Sequence, residues 1–191
     1  RFRRSLDERH TISTKSLRHI PTTQKVESGF SNHSEADPTD PKFLSELHKS
    51  LKRFKNVKDW EIPAVIGGKE YFDGELEEGK DPSDGERTWY HYAVGNKKLV
   101  DTAIKIAKSA EEKWSSLSIE ERGEILNAAA EAMDRNQSET IAVMTRDAGK
   151  TIAEAVPEIS EAIDFANFYS HSARDFGPST PLGTILVVPP W

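Results

Sequence analysis

Near the end of the chain, Thr180 to Trp191 read TPLGTILVVPPW, and the reading of this stretch decides the fold. Thr184 to Val188 (TILVV) form a continuous apolar run, short enough to predict a strand buried on both faces, as strands of parallel sheets are. Gly177, Pro178, Pro181 and Gly183 punctuate the loop before it. Pro189-Pro190 end it, because proline cannot donate to a sheet ladder. In open α/β sheets, ligands bind outside the carboxyl ends of parallel strands, so Pro189, Pro190 and Trp191 take the ligand rim by position alone. On spacing alone, a plain core strand followed by a turn is the stronger reading.

Working back from this strand, the apolar residues follow helical spacing. Ile159, Ile163, Ala166 and Tyr169 predict the inner face of a helix over about Ile152 to Arg174, with a kink or a true start near Pro157. Ser138 is the expected cap of a helix bearing Ile141, Ala142 and Thr145, and Gly149 fits its left-handed stop. Ser118 followed by Glu121 is a capping-box signature, opening a helix whose inner face is expected to carry Ile125, Leu126, Ala129 and Met133. Leu99, Val100, Ala103, Ile104, Ala107, Ala110, Trp114 and Leu117 make one further helical stripe.

Before Gly95 the pattern is that of strands. Ala64 to Ile66, Gly67-Gly68 and Lys69 to Phe72 predict a hairpin, since paired glycines supply the positive φ of a tight turn. Thr88 to Val94 is aromatic and β-branched enough for a second β element. Phe43, Leu44, Leu47, Leu51 and Phe54 give a docked helix after Pro41. The tract SGFSNHSEADPTDP, Ser28 to Pro41, reads as a linker or wrapping arm.

Composition sets bounds on function. The 191 residues, 36% hydrophobic and 30% charged, suffice for one ordinary domain with some loosely packed sequence. A net charge of -6, with Arg1, Arg3 and Arg4 the one basic cluster, argues against nucleic acid as a partner. No cysteine is present, which removes disulfides, Cys-based metal sites and a thiolate nucleophile from this stretch. No apolar run reaches a membrane span and no secretion signal opens the sequence, so a cytosolic-type protein is the default. AGKT at Ala148 to Thr151 fails as a phosphate loop, since the first glycine of that motif falls on Met144. The six histidines show no ligand pairing. Glu158, Glu161 and Asp164 read as a solvated acidic face. No GxGxxG occurs.

Separated features in order nonetheless resemble the start of the aldehyde dehydrogenase superfamily. They are GGK (Gly67 to Lys69), DPSDGE (Asp81 to Glu86), the helix ending in Trp114, ERGEIL (Glu121 to Leu126), RDAGKT (Arg146 to Thr151), EAIDFANFYS (Glu161 to Ser170) and PLGTILVVPPW. The resemblance covers about Ile62 to Trp191. EAIDF and PLG are most similar to the pyrroline-5-carboxylate dehydrogenase module of bifunctional proline-catabolic enzymes (proline utilization A). GFSNHSEADPTDP is similar to the linker preceding that module. FRRSLDE, Phe2 to Glu8, loosely resembles the end of a proline dehydrogenase barrel, although Asp7-Glu8-Arg9 stands where that pattern has Glu-Asn.

The resemblance implies an α/β fold. It further implies that residues 1–8 are the tail of such a barrel, residues 9–55 a linker and docking helix, and residues 56–191 an incomplete N-terminal part of an NAD-binding domain containing its hairpin, helices and first parallel strand. Val188, Pro189, Pro190 and Trp191 are implied to line the NAD pocket. Arg3 and Arg4 are implied to hold a substrate carboxylate, with FAD expected only alongside an upstream proline dehydrogenase domain. The family's next residue, an Asn that donates to the oxyanion, and its later glutamate base and catalytic cysteine do not occur in this chain. Its expected partners are the remainder of the same polypeptide and a small-molecule substrate, and the reading is compatible with an oligomer. No catalytic residue is assigned, and the chain alone is expected to be marginally stable and to form no NADH. The competing readings are a non-catalytic helical interaction module and a degenerate dehydrogenase paralogue ending at Trp191.

Overall fold

The computed structural model describes residues 29–176 and 181–189. Its elements run α1 (Pro41–Lys55), β1 (Trp60–Ile62), β2 (Ala64–Ile66), β3 (Lys69–Tyr71), β4 (Leu76–Asp81), β5 (Asp84–Ala93), α2 (Lys97–Ser116), α3 (Ile119–Arg135), α4 (Gln137–Asp147), α5 (Ile152–Ser172) and a short 3-10 turn (Ala173–Phe176). The result is a mixed α/β fold, as the sequence predicts.

The hairpin of β2 and β3 forms with Ala64 opposite Tyr71 and Ile66 opposite Lys69. Its turn places Gly67 at φ 59° and Gly68 at φ 75°, the pair of left-handed values that a two-residue hairpin loop requires. The predicted β element at Thr88 to Val94 is the second half of a longer strand, β5. It pairs antiparallel with β4 and parallel with β1 in a sheet ordered β1-β5-β4. Neither β1 nor β4 is apparent in the sequence, because LEEGKD carries charges where a strand ordinarily alternates.

Capping explains where the helices begin. Asp40 accepts from Lys42 N to open α1, with Pro41 in its first turn. The capping box at Ser118 and Glu121 forms in both directions. A second one, Thr151 with Glu154, opens α5, so this helix starts before Pro157 and runs through it. Pro157 forgoes the bond to the Ala153 carbonyl and crowds that carbonyl with its ring, and the helix continues past both. The helix over Ile141 begins at Gln137 after Asn136 instead of being capped by Ser138. Gly149, at φ 66°, follows its end as expected.

The main core joins Leu47 of α1, Ala130 of α3, Ile141 of α4 and Ala155, Val156, Ile159 and Ile163 of α5. A second cluster of Phe54, Trp89 and Ala142 ties α1 and α4 to the sheet. Because Ile141 and Ala142 are adjacent, α4 serves both clusters at once.

Three predicted inner faces are corrected. Helix α3 turns Gly123 and Ala130 inward, whereas Ile125, Leu126 and Ala129 are exposed. The reason is close approach to α5: a Cβ on Gly123 would stand 2.9 Å from Ser170 Oγ, and that hydroxyl already donates to the Gly123 carbonyl. The same rotation leaves Tyr169 57% exposed instead of inward. The stripe on α2 is helical as predicted, but only Leu99 is buried, and Val100, Ile104 and Trp114 lie open.

Candidate functional site

Pro190 and Trp191 of the predicted rim, and Arg3 and Arg4, expected to hold a substrate carboxylate, lie outside the described residues. Val188 and Pro189 are described, and both are exposed. The predicted strand at Thr184 to Val188 does not form among the described residues. A strand has no internal hydrogen bonds, and no neighbour pairs with this one. Its side chains stay in solvent accordingly, with Leu186 86% and Val187 79% exposed.

What positions the run is the turn before it. Pro181 to Ile185 fold against α2, enclosing a cleft of about 470 Å³ with Ala107, Ala110, Trp114 and Arg122. Gly183 sits at φ 83°, and a Cβ there would come within 3.1 Å of Glu111 Oε1. PLG therefore docks the segment on α2, and Leu186 to Pro189 continue from it as exposed apolar surface. Among the described residues, Val188 and Pro189 keep exposed aliphatic side chains and join no sheet.

A second recess, of about 670 Å³, lies between the N-terminal arm and α5. Asn32 Nδ2 donates to Asp164 at 2.9 Å and the His33 backbone N–H donates to the same carboxylate at 2.5 Å. Phe30 meets Phe168 edge-on, with centroids 5.3 Å apart, and His33 Nε2 lies 3.1 Å from Asp134. The tract read as a wrapping arm thus wraps. Asp164, read as a solvated member of an acidic face, is instead its anchor, and Glu158 pairs with Lys150. Ser160 Oγ is buried with no partner among the described residues, beside Glu161 and Phe165. Carboxylate, hydroxyl and aromatic ring together suit a cationic group on an apolar stem. No group of acidic or His residues capable of holding a metal ion occurs among the described residues.

Sequence reasoning passed over the joint beneath the sheet. Arg146, 7% exposed, donates through Nη1 to the carbonyls of Phe54 and Val57 and lies 4.5 Å over the Trp89 ring. Its Nε is 3.6 Å from Asp81. Burial, then the charge of Arg87, lowers its affinity for the proton, and Asp81 opposes both. Nearby, burial and then the Asp147 carboxylate push Tyr90 up to about 12. A lone Arg in RDAGKT gave no hint of this, because its partners are backbone carbonyls some ninety residues away.

Comparison with known proteins agrees with this architecture. A profile described as the aldehyde dehydrogenase family matches residues 73–191. The chain is similar to a 1-pyrroline-5-carboxylate dehydrogenase of Staphylococcus saprophyticus, 29% identical over 177 residues, covering 85% of this chain and 34% of that protein. Its fold is similar to proline utilization A from Bdellovibrio bacteriovorus inactivated by N-propargylglycine, with TM-score 0.75 and 24% identity over 82% of this chain and 16% of that one. It is likewise similar to a Thermus 1-pyrroline-5-carboxylate dehydrogenase with bound NAD, at TM-score 0.74 and 24% identity, covering 85% and 31% of the two chains. The chain therefore spans about a third of the length of the curated relatives it matches. Among the described residues, no helix is long and apolar enough to cross a membrane.

Proposed function

The chain belongs to the aldehyde dehydrogenase family, and from that premise we propose that it supplies the first part of a longer NAD-dependent enzyme oxidising L-glutamate semialdehyde, the open form of pyrroline-5-carboxylate, to glutamate in proline catabolism. The observation that carries this reading is the agreement of sequence and fold. The curated relatives matched over 85% of the chain bear the name 1-pyrroline-5-carboxylate dehydrogenase, and the similar folds include that enzyme and proline utilization A.

Oxidation of an aldehyde to an acid by this route uses a thiolate to attack the carbonyl, a hydride acceptor and a base that activates water. NAD supplies the hydride acceptor when bound. No thiolate exists in these 191 residues, so the nucleophile must come from further sequence. The contribution of this chain is binding and orientation. Val188 and Pro189, followed by Pro190 and Trp191, form the rim of the cofactor site, and the turn at Gly183 fixes its direction from α2. Where an upstream proline dehydrogenase domain with its FAD is fused to the chain, Arg3 and Arg4 hold the carboxylate of its substrate, and the enzyme works in the cytoplasm.

Two measurements test the proposal. The coding sequence beyond Trp191 should continue in frame with Asn-Phe-Pro and later supply a cysteine, and a stop codon there would favour an interaction module or a degenerate paralogue. The longer product should form NADH from glutamate semialdehyde, whereas the 191-residue chain should form none. Turnover at an enzyme-like rate by this cysteine-free chain overturns the reading.

A further inference from the structure

Where the end of α1 meets the β4–β5 turn, a small cavity of about 290 Å³ is lined by Lys55, Asp81, Ser83, Arg87, Thr145 and Arg146. Three cations face one carboxylate, in a chain whose net charge is -6. The carboxylate is already engaged. Asp81 accepts from the backbone N–H of Ser83 at 2.9 Å and faces Arg146 Nε at 3.6 Å.

The guanidinium of Arg146 is only partly satisfied. Nη1 has two carbonyl acceptors, but Nη2 is buried with no partner among the described residues. A buried donor without an acceptor loses its hydration and gains nothing in return, and a charged one loses more. Arg87 adds to the deficit. Its Nη2 makes one 3.3 Å bond, to the Lys55 carbonyl, which holds a second guanidinium at the mouth. The charge of Arg87 is the second cause, after burial, of the lowered proton affinity of Arg146, and both side chains line the same cavity.

We propose that this cavity binds a small oxyanion of the phosphate or carboxylate kind, which accepts from the free Arg146 Nη2 and is enclosed by Arg87 and Lys55. Planar guanidinium forks match oxyanion geometry, and the Ser83 hydroxyl supplies a further donor at the same opening. The volume admits an ion of this size and excludes a nucleotide. Bound there, the ion braces the joint between α1, α4 and the sheet.

The test is a titration of the full 191-residue chain with inorganic phosphate and separately with acetate, each against chloride at matched ionic strength, followed by the arginine side-chain NMR signals. Saturable shifts of the Arg146 resonance with phosphate or acetate, but not with chloride, are expected. Arg87→Gln and Lys55→Gln alter partly or fully exposed positions, and backbone spectra unchanged elsewhere establish that each variant is folded. Arg87→Gln should weaken binding by about tenfold or more, the loss of one charged hydrogen bond, and Lys55→Gln by less. Absence of saturable shifts with both oxyanions overturns the proposal. So does binding that both substitutions leave unchanged.

Discussion

Helix α5 and the run Ile185 to Val188 are both rich in aliphatic residues, yet they meet opposite fates. Ile159 and Ile163 are 6% and 1% exposed, while Ile185 to Val188 range from 65% to 86%. Hydrophobicity does not separate them, but backbone accounting does. A helix bonds its own N–H and C=O groups and needs neighbours only for one face, which α3 and α4 supply. A strand needs neighbours for its backbone and for both faces, and without them an apolar sequence remains extended in water. Thus the helical region completes itself, whereas the terminal run, like the stripe on α2, stays open among the described residues.

The most severe way to break this comparison is to open a cavity on its buried side. Ile141 is fully buried where α4 meets α1 and α5, and Ile141→Ala should cost about 2–5 kcal/mol in urea unfolding of the chain. A loss under about 0.5 kcal/mol, the range of surface substitutions, would mean that the cluster is not the core. Next in size is Gly123→Val, which forces a branched side chain into Ser170 and should cost about 1–3 kcal/mol by overpacking the α3–α5 contact.

Smaller again is the cap of α5. Thr151→Ala removes the hydroxyl that caps the Glu154 N–H and should cost about 1 kcal/mol. The reciprocal bonds from Thr151 hold the Glu154 carboxyl below its ordinary value of 4.5. A depressed carboxyl stabilises the fold above its unfolded value and loses that contribution as pH falls through the folded one. Stability should therefore decline from about pH 4.5 downward, and Glu154→Gln should shrink that decline. An unchanged acid limb in this variant would show that the box does not form in solution.

Much of this was legible in the sequence, and the failures share a cause. Caps, turns and periods are local, so the Ser118 box, the Gly67-Gly68 turn and the helical stripes could be read from neighbouring residues. Which side of a stripe faces inward depends on a partner element. On α3 the decisive residues were the smallest, Gly123 and Ala130, rather than Ile125 and Leu126, because close approach to α5 outweighed apolar area. The same limit hid Arg146, whose partners are distant carbonyls, and Asp164, whose partner is the arm. The apolar run leading to Val188 and Pro189 was legible, but its exposure was not, because burial belongs to neighbours a single strand does not contain.

The smallest expected effect sharpens the comparison most. Leu186 is 86% exposed and has no strand partner, so Leu186→Ser should change the unfolding free energy of the 191-residue chain by no more than about 0.5 kcal/mol, within the range of surface substitutions. Aliphatic side chains that are already solvated lose no burial when removed. In a longer polypeptide that supplies sheet neighbours on both sides, the same substitution buries an unpaired hydroxyl in place of an isobutyl group and should cost several kcal/mol, on the order of a core truncation. Measuring Leu186→Ser in both backgrounds, with Ile141→Ala as the control that is severe in each, separates sequence from surroundings directly. Equal small effects in the two backgrounds would mean that the run stays on the surface of the longer protein and is no part of its sheet.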